Sequence, residues 1–531
     1  MGFSKVLLLG SLLLAFLVES PVSFSDVVCQ KASSLHLPDI QIVSVGEVSP
    51  NSAATFRELS PALLQGLPAF CRVQAVARPA SDSEIHIEVW IPIANWNRRF
   101  WGVGNGGFGG SIDLYSMANL VGRGFATAGT DTGHSLPSSN ATWALGHPQK
   151  IEDFGWRAIH LMTITAKAVV AAVTDQSPAK SYFGSCSTGG RQALMEVQRF
   201  PGDYDGVLAG APANDWTSLL AMGASDMKAF DSEPDSYISP EDLTVIHDAV
   251  ERACHATNGV VADPTRCSFN PRELVCSQNR STGCLNKDQV GFLKRLYQGL
   301  PRPPDSPAFP GYEPGGELGP GGWSTWLTGR SPGASLMAVF VRGYYANFVY
   351  DDSNWQIRDF NLRSASALSK RGSEQALNAT ATDLAAFRDR GGKLIIYHGW
   401  SDPAIPPLSS VRYFNGVIRT MGVSDTESFL RLYMVPGMQH CAGGPGADSF
   451  GQEDPSFPPT DASRDIASSL VKWVEEGKSP ESLIATKYDN SEGKSRPVKF
   501  TQLLCPYPLA ARYTRTGEKG NATSYVCSSS H

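Results

Sequence analysis

The sequence predicts an α/β fold whose sheet-and-helix core is interrupted by one large inserted domain. Three observations carry this reading. Short apolar runs bounded by glycine and polar residues alternate with stretches whose apolar residues recur every three or four positions, and this rhythm lapses after Trp216 and resumes at Lys393. The intervening stretch is rich in Pro, Gly, Ser and aromatics and carries the closely spaced Cys254, Cys267, Cys276 and Cys284. A chain of 531 residues also exceeds one ordinary hydrophobic core.

Residues 84–93 alternate apolar and polar side chains, the period of a strand with one face on a core. Residues 100–103 are a second strand running into the glycine-rich loop 104–110, and residues 124–128 a third, ending at Gly129-Thr-Asp-Thr-Gly133. A helix is predicted over 156–173 because Ile159, Met162, Ala166, Val169 and Val173 fall on one face. Residues 181–183 then enter a turn at Ser187, residues 191–198 form the helix behind it, and residues 205–212 the next buried strand. After the lapse, strands are expected at 393–397 and 429–435 and helices at 411–419 and 466–476, whereas the insertion is expected to be longer on loops, with residues 301–320 especially poor in regular structure. The economical division is a core at 26–216 and 387–531 interrupted by an inserted domain at 217–386, which would sit above the carboxyl edge of the sheet and cover a pocket there. The loop 104–110 lacks the spacing and acidic partner of a dinucleotide site, and no internal repeat is present.

The chain opens with a basic start and an apolar run over 6–18 that ends at Glu19, Ser20 and Pro21, which reads as a signal peptide over 1–25 and predicts secretion. No later apolar stretch is long enough to span a bilayer, so no membrane partner is expected. In a secreted chain the ten cysteines read as disulfides, and a zinc site in the 254–284 cluster would lack any C-x-x-C element. Asn140, Asn279, Asn378 and Asn521 head glycosylation sequons. A net charge of -6 with dispersed Lys and Arg offers no footprint for nucleic acid. Oligomeric state is not legible from these features.

Two reactive residue types are each flanked by a cysteine, in Gly184-Ser-Cys-Ser-Thr-Gly-Gly190 and Met438-Gln-His-Cys-Ala-Gly-Gly444. A serine hydroxyl needs a base to remove its proton, and a strand-to-helix turn exposes it above the sheet edge, which is the setting of Ser187. Ser185 stands where such turns usually have glycine. His440 follows a strand end and is the candidate base; His398 competes with it, but lies beside Asp402, the better candidate to orient another histidine. Asp448 is a less favoured acid. Candidate oxyanion donors are the Thr188 N–H at the helix start and the N–H of Gly106 or Gly107. A bond between Cys186 and Cys441 would hold Ser187 against His440. Asp131 and His134 are read as loop hydrogen-bonding or pocket-wall residues, and no metal ligand set is assigned.

These residues resemble the tannase and feruloyl esterase family, secreted α/β-hydrolases with a lid domain. The resemblance rests on Cys186-Ser187, Asp402 and His440-Cys441, together with Thr188-Gly-Gly-Arg191, Gln198-Arg-Phe-Pro201, Asp205-Gly-Val207, Ala209-Gly-Ala-Pro212 and Gly443-Gly-Pro-Gly446, and runs from about Cys29 to Cys527. It implies an α/β-hydrolase fold with a large inserted lid domain, a Ser187–Asp402–His440 triad, and the disulfides Cys29–Cys71, Cys186–Cys441, Cys254–Cys267, Cys276–Cys284 and Cys505–Cys527. Many family lids bind calcium after the first lid cysteine. Here His255 and Asn258 stand where members commonly show aspartates, so a metal-free, disulfide-held loop is expected. The implied reaction is hydrolysis of feruloyl and related hydroxycinnamoyl esters, including feruloylated saccharides, through an acyl-serine; tannase action on galloyl esters is the alternative. A non-catalytic polyphenol- or carbohydrate-binding protein is the alternative of a different class.

Overall fold

The computed structural model describes residues 28–49, 66–277, 282–300, 309–452, 461–489 and 496–529; the expected signal peptide over 1–25 and the sequon at Asn279 lie outside the described residues. Nine strands build one sheet in the spatial order β1-β2-β3-β5-β4-β6-β7-β8-β9. They are β1 (Ile40–Val48), β2 (Phe70–Ala77), β3 (Ile85–Pro92), β4 (Arg99–Val103), β5 (Ala126–Thr130), β6 (Lys180–Cys186), β7 (Gly206–Gly210), β8 (Lys393–Gly399) and β9 (Leu430–Val435). β1, β2, β3 and β5 pair antiparallel, and from β5 through β4 to β9 the sheet is parallel. This is the α/β-hydrolase arrangement with added helices.

The change from antiparallel to parallel is written in the side chains. β2 and β3 point Val73, Ala75, Ala77, Ile85, Ile87 and Val89 into one core, shared with Ile159, Met162, Ala166 and Val169 of the helix Ala158–Thr174. Their alternate positions, including Arg72, Gln74, His86 and Glu88, face the other way, as the period of two requires. β5 and β7 are buried at every position, the mark of parallel strands covered on both faces. The run Pro148–Thr174 is long and apolar enough to pass as a membrane span by length and composition, but half of its most apolar window is buried inside the fold.

Between β7 and β8 lies a helical insertion that includes Trp216–Ser232, Pro240–Ala253, Lys287–Gln298, Leu336–Tyr344 and Leu362–Arg371. The expectation of a loop-dominated segment is corrected here. These helices bury Trp216, Met222, Ile246, Leu293, Val341 and Tyr344 in a second core, which they share with Phe108, Trp143 and Phe154 from the segments before β6. The helix Trp216–Ser232 buries residues on most of its circumference, so no single apolar stripe announces it. Local signals did exist: Ser239 with Asp242 and Asn286 with Gln289 form capping boxes at two of the helix starts. The described part of the Pro-rich stretch, 309–320, contains no helix or strand. Its turn is held by the Glu317 carboxylate, which accepts from Gly315 N at 2.9 Å and from Tyr297 Oη at 2.9 Å.

β1, β2, the helix Leu114–Gly122 and two C-terminal hairpins, Leu483–Tyr488 with Val498–Leu504 and Leu509–Tyr513 with Tyr525–Ser529, were not expected from periodicity. Elsewhere the differences are at boundaries: β5 starts two residues later than expected, and the helix predicted from 156 begins as a π turn at Asp153–Arg157. The structure joins Cys29–Cys71, Cys186–Cys441, Cys254–Cys267, Cys276–Cys284 and Cys505–Cys527, the pairs that the family resemblance implies.

Candidate active site

Ser187 occupies the turn between β6 and the helix Thr188–Arg199, with φ 64° and ψ -122°. A non-glycine residue at positive φ is strained, and here the strain lifts the hydroxyl clear of the sheet edge. The turn is pinned by Ser187 N–H donating to Gly210 O at 2.9 Å on the neighbouring strand. The unusual Ser185 fits because two neighbours lack side chains. A Cβ on Gly189 would lie 2.0 Å from Ser185 Oγ and 2.4 Å from its Cβ, and a Cβ on Gly104 would lie 2.9 Å from Ser185 Cβ. Gly189→Ala is therefore expected to destabilise by about 1–3 kcal/mol, the usual cost of overpacking, and Ser185→Gly in the same chain should recover more than half of it. Thermal denaturation of the two variants checks this; an equal loss in the double variant would refute the contact as the cause.

His440 Nε2 lies 3.0 Å from Ser187 Oγ, and His440 Nδ1 lies 2.8 Å from Asp402 Oδ2. Nδ1 faces a carboxylate and so carries the proton, leaving Nε2 to accept from the serine hydroxyl. Asp402 is itself fully satisfied. Its Oδ1 accepts from Ala404 N at 2.7 Å and Ile405 N at 3.0 Å, and its Oδ2 also accepts from His398 Nε2 at 3.1 Å. His398, the competitor for the base, thus bonds the same carboxylate from behind; it is fully buried, with Nδ1 2.8 Å from Ser410 Oγ. Burial alone would raise the Asp402 pKa, but the His440 charge and the hydrogen bonds from His398 and His440 outweigh it and hold the carboxyl well below the usual range. Asp402 therefore stays ionised wherever His440 needs an anion beside it.

The other sequence candidates separate cleanly. Gly106 and Gly107 line the same cleft as Ser187 and His440, and the Thr188 hydroxyl donates to Gly107 O at 2.6 Å, tying the two loops together. Gly107 has φ 53°, and a Cβ there would lie 2.3 Å from Ser138 O, so only glycine fits. The Thr188 N–H opens its helix and has no intrahelical acceptor, as an oxyanion donor requires. Asp448 instead accepts from Gly443 N at 2.8 Å and Lys487 Nζ at 3.1 Å, bracing the turn after His440. Asp131 accepts from Gly133 N at 2.8 Å and bonds His86 Nδ1 at 2.7 Å, while His134 bonds Phe108 O at 2.8 Å and stacks on Trp143. Cys186–Cys441 closes a separation of 255 residues, worth about 5 kcal/mol of unfolded-state entropy in the chain-closure picture, and joins the residue before Ser187 to the residue after His440.

A cleft of about 1000 Å³ opens from Ser187 and His440. Trp326, Leu336 and Phe340 of the insertion form one wall, with the Trp326 ring edge-on to His440 at 5.1 Å and stacked on Phe340 at 6.1 Å. The insertion also braces the residue before His440: Gln439 Nε2 donates to Leu318 O at 2.6 Å. None of these wall residues was singled out from sequence, because nothing in their local pattern separates a cleft aromatic from a core one.

A profile of the family described as "Tannase and feruloyl esterase" matches residues 71–528. The chain belongs to this family. It is a hydrolase of that general type. An uncharacterized esterase from Xanthomonas campestris pv. campestris is 37% identical, covering 95% of this chain and 91% of its own. A probable feruloyl esterase B-2 from Aspergillus flavus is 33% identical, covering 80% of this chain and 81% of its own. Among solved structures, feruloyl esterase B from Aspergillus oryzae matches with TM-score 0.85 at 29% identity, covering 95% of this chain and 100% of that one. Tannin acyl hydrolase from Aspergillus niger shares the fold, with TM-score 0.73 at 23% identity and 95% of both chains covered.

The family resemblance directs attention to metals in the insertion. In the loop closed by Cys254–Cys267, His255 and Asn258 are at φ 54° and 52°, Thr257 bridges Val260, and Asp263 Oδ1 is engaged by Thr265 N at 3.1 Å and Thr265 Oγ1 at 2.6 Å. Among the described residues one group, His160, Glu196 and Asp203, brings potential ligand atoms within 4.8 Å of one another. Lys167 Nζ donates to Asp203 O in the same group. Burial first, and the Asp203 charge second, push the Glu196 carboxyl well above its ordinary range, toward the neutral acid.

Proposed function

We propose that this chain is a secreted serine esterase that cleaves feruloyl and related hydroxycinnamoyl esters through an acyl-serine intermediate. The observation that carries the reading is the Ser187–His440–Asp402 relay, with contacts of 3.0 Å and 2.8 Å, at the foot of a cleft walled by Trp326 and Phe340. His440 Nε2 takes the Ser187 proton as Oγ attacks the ester carbonyl. The N–H groups of Thr188 and of Gly106 or Gly107 receive the charge that develops on the carbonyl oxygen. Collapse expels the alcohol, protonated by His440, and a water activated by the same nitrogen then releases the acid. Residues 217–386 act as the lid, bringing the aromatic wall to the site.

The apolar wall favours a ring with few hydroxyls, which is why hydroxycinnamoyl groups lead and galloyl groups, whose several hydroxyls would face it, come second. Names borne by the fungal relatives point the same way. The five disulfides support an oxidising, extracellular setting. Hydrolysis of methyl ferulate, methyl gallate and chlorogenate by the purified protein, with Ser187→Ala as background, tests the reading. Preference for the hydroxycinnamates that vanishes in Ser187→Ala is the expected result. Preference for gallate moves the protein to tannase action with the same relay, and turnover that survives in Ser187→Ala would overturn the mechanism.

A further inference from the structure

Behind the Ser187 turn, the helix Thr188–Arg199 carries a buried carboxyl group that the proposed relay does not use. Glu196 is 1% exposed, and neither of its oxygens receives a hydrogen bond from any group among the described residues. His160, from the helix Ala158–Thr174, and Asp203, from the turn that leads into β7, converge on it. One nitrogen or oxygen of ligand type from each of the three lies within 4.8 Å of the other two. None of the three lines the cleft at Ser187.

The framework around the group is fixed. His160 stacks on Phe200 with ring centroids 3.9 Å apart and the planes 10° from parallel. The turn is closed by Asp203 N–H donating to Phe200 O at 2.9 Å. His160 Nδ1 lies 2.7 Å from Asp203 Oδ2, which gives Asp203 a partner. Lys167 brings an ammonium to the group, but its Nζ donates to the main-chain carbonyl of Asp203 and leaves Glu196 unpartnered. A buried carboxyl beside a second one, with no donor of its own, calls for a positive species between them.

We infer that His160, Glu196 and Asp203 bind one first-row divalent cation, zinc being the best match, which clamps the helix behind Ser187 to the helix Ala158–Thr174. The donor set selects the ion. One imidazole with two carboxylates suits zinc, whereas calcium asks for six or more oxygens. A doubly charged ion balances both carboxylates and engages both Glu196 oxygens; a proton, the competing occupant, serves only one of them. Ligand atoms about 2.1 Å from one zinc stand about 3.4 Å apart, so the group closes by at most about 1.4 Å. The His160 and Asp203 side chains, 27% and 15% exposed, have room to make that adjustment, and their open side admits water as a fourth ligand. Every cysteine is in a disulfide, so no thiolate competes for the ion. The assignment does not depend on the esterase reading.

The test strips the full chain of metal with a chelator, dialyses the chelator away and titrates with zinc chloride. Binding heat, metal content after desalting and the thermal midpoint are read. Wild type should retain one zinc per chain and melt higher with it. His160→Gln and Glu196→Gln should each weaken that binding at least about tenfold and lose the zinc-dependent rise. No retained zinc, or zinc held equally by wild type and both variants, overturns the site. Glu196→Gln also separates the ion from the proton, because an amide replaces a neutral acid without change of charge. A zinc-insensitive wild type whose melt Glu196→Gln matches would assign the pair to a shared proton and overturn the proposal. A parallel titration with manganese chloride reads the ion: tighter binding that both variants lose keeps the site and changes its metal. His160 is partly exposed, so His160→Gln answers the question if Glu196→Gln fails to fold.

Discussion

Asp402→Asn is expected to lower kcat on an aromatic ester by about 10⁴-fold while leaving the fold intact, by analogy with serine-hydrolase triads in which the same exchange was made. The geometry supplies the reason. Asp402 Oδ1 faces two backbone donors, Ala404 N and Ile405 N, and Oδ2 faces two histidine nitrogens. An amide has one acceptor, and the backbone pair claims it, so the amide N–H₂ turns toward His398 and His440. His440 Nδ1 must then accept, its proton moves to Nε2, and the nitrogen 3.0 Å from Ser187 Oγ no longer takes the serine proton. Steady-state kinetics with a thermal melt alongside check this. Activity within tenfold of wild type in a folded Asp402→Asn protein would mean that another group orients the base.

The second large effect is on stability and depends on pH. Asp226 lies in the helix Trp216–Ser232 with 3% exposure, and burial pushes its carboxyl up to about 7, with Arg295 pulling it back only partly. Between its ordinary value near 3.8 and about 7, the folded chain holds a proton that the unfolded chain has lost. Stability is therefore greatest below that window and falls as pH rises through it, by up to about 4 kcal/mol from this group. Glu313, pushed up to about 7 by burial and by the Asp263 charge, acts in the same sense. Asp226→Asn carries no charge to bury. It should match wild type near pH 4 and exceed it by several kcal/mol near pH 8 in denaturant unfolding. A difference that is the same at both pH values would show that the effect comes from packing and not from ionisation. Since both carboxyls belong to the insertion, the wild-type lid should loosen first as the solution turns alkaline.

Much of the candidate site was legible because it is written locally. Ser187 sits in a strand-turn-helix segment whose glycines and apolar flanks are contiguous in sequence, and His440 sits at a strand end, so each could be placed on an element before any contact was known. The flanking cysteines then joined two local patterns across 255 residues. Sequence order favours His440 over His398 as the base, but it does not reveal that His398, at the end of β8, and His440 converge on one carboxylate. The helices of the insertion went unread for a different reason: a helix buried on most sides loses the one-sided periodicity that marks it, and only its capping residues remain as a signal.

By itself, then, the sequence determined the α/β order of the core, the candidate serine and histidine with the acid beside them, and the glycine-rich loops near them, since each of these depends on residues close together along the chain. Tertiary structure alone decided the shape of the cleft. Trp326 and Phe340 reach the site from an insertion more than a hundred residues beyond Ser187, and the polar face of β2 and β3 reaches it from about a hundred residues before. The alternation in β3 that reads as solvent-facing in sequence places His86 and Glu88 on the wall of the cleft, beside the loops after β4 and β5 and the insertion. A side chain's period tells which face of a strand it occupies; what covers that face is set by parts of the chain that meet it only on folding.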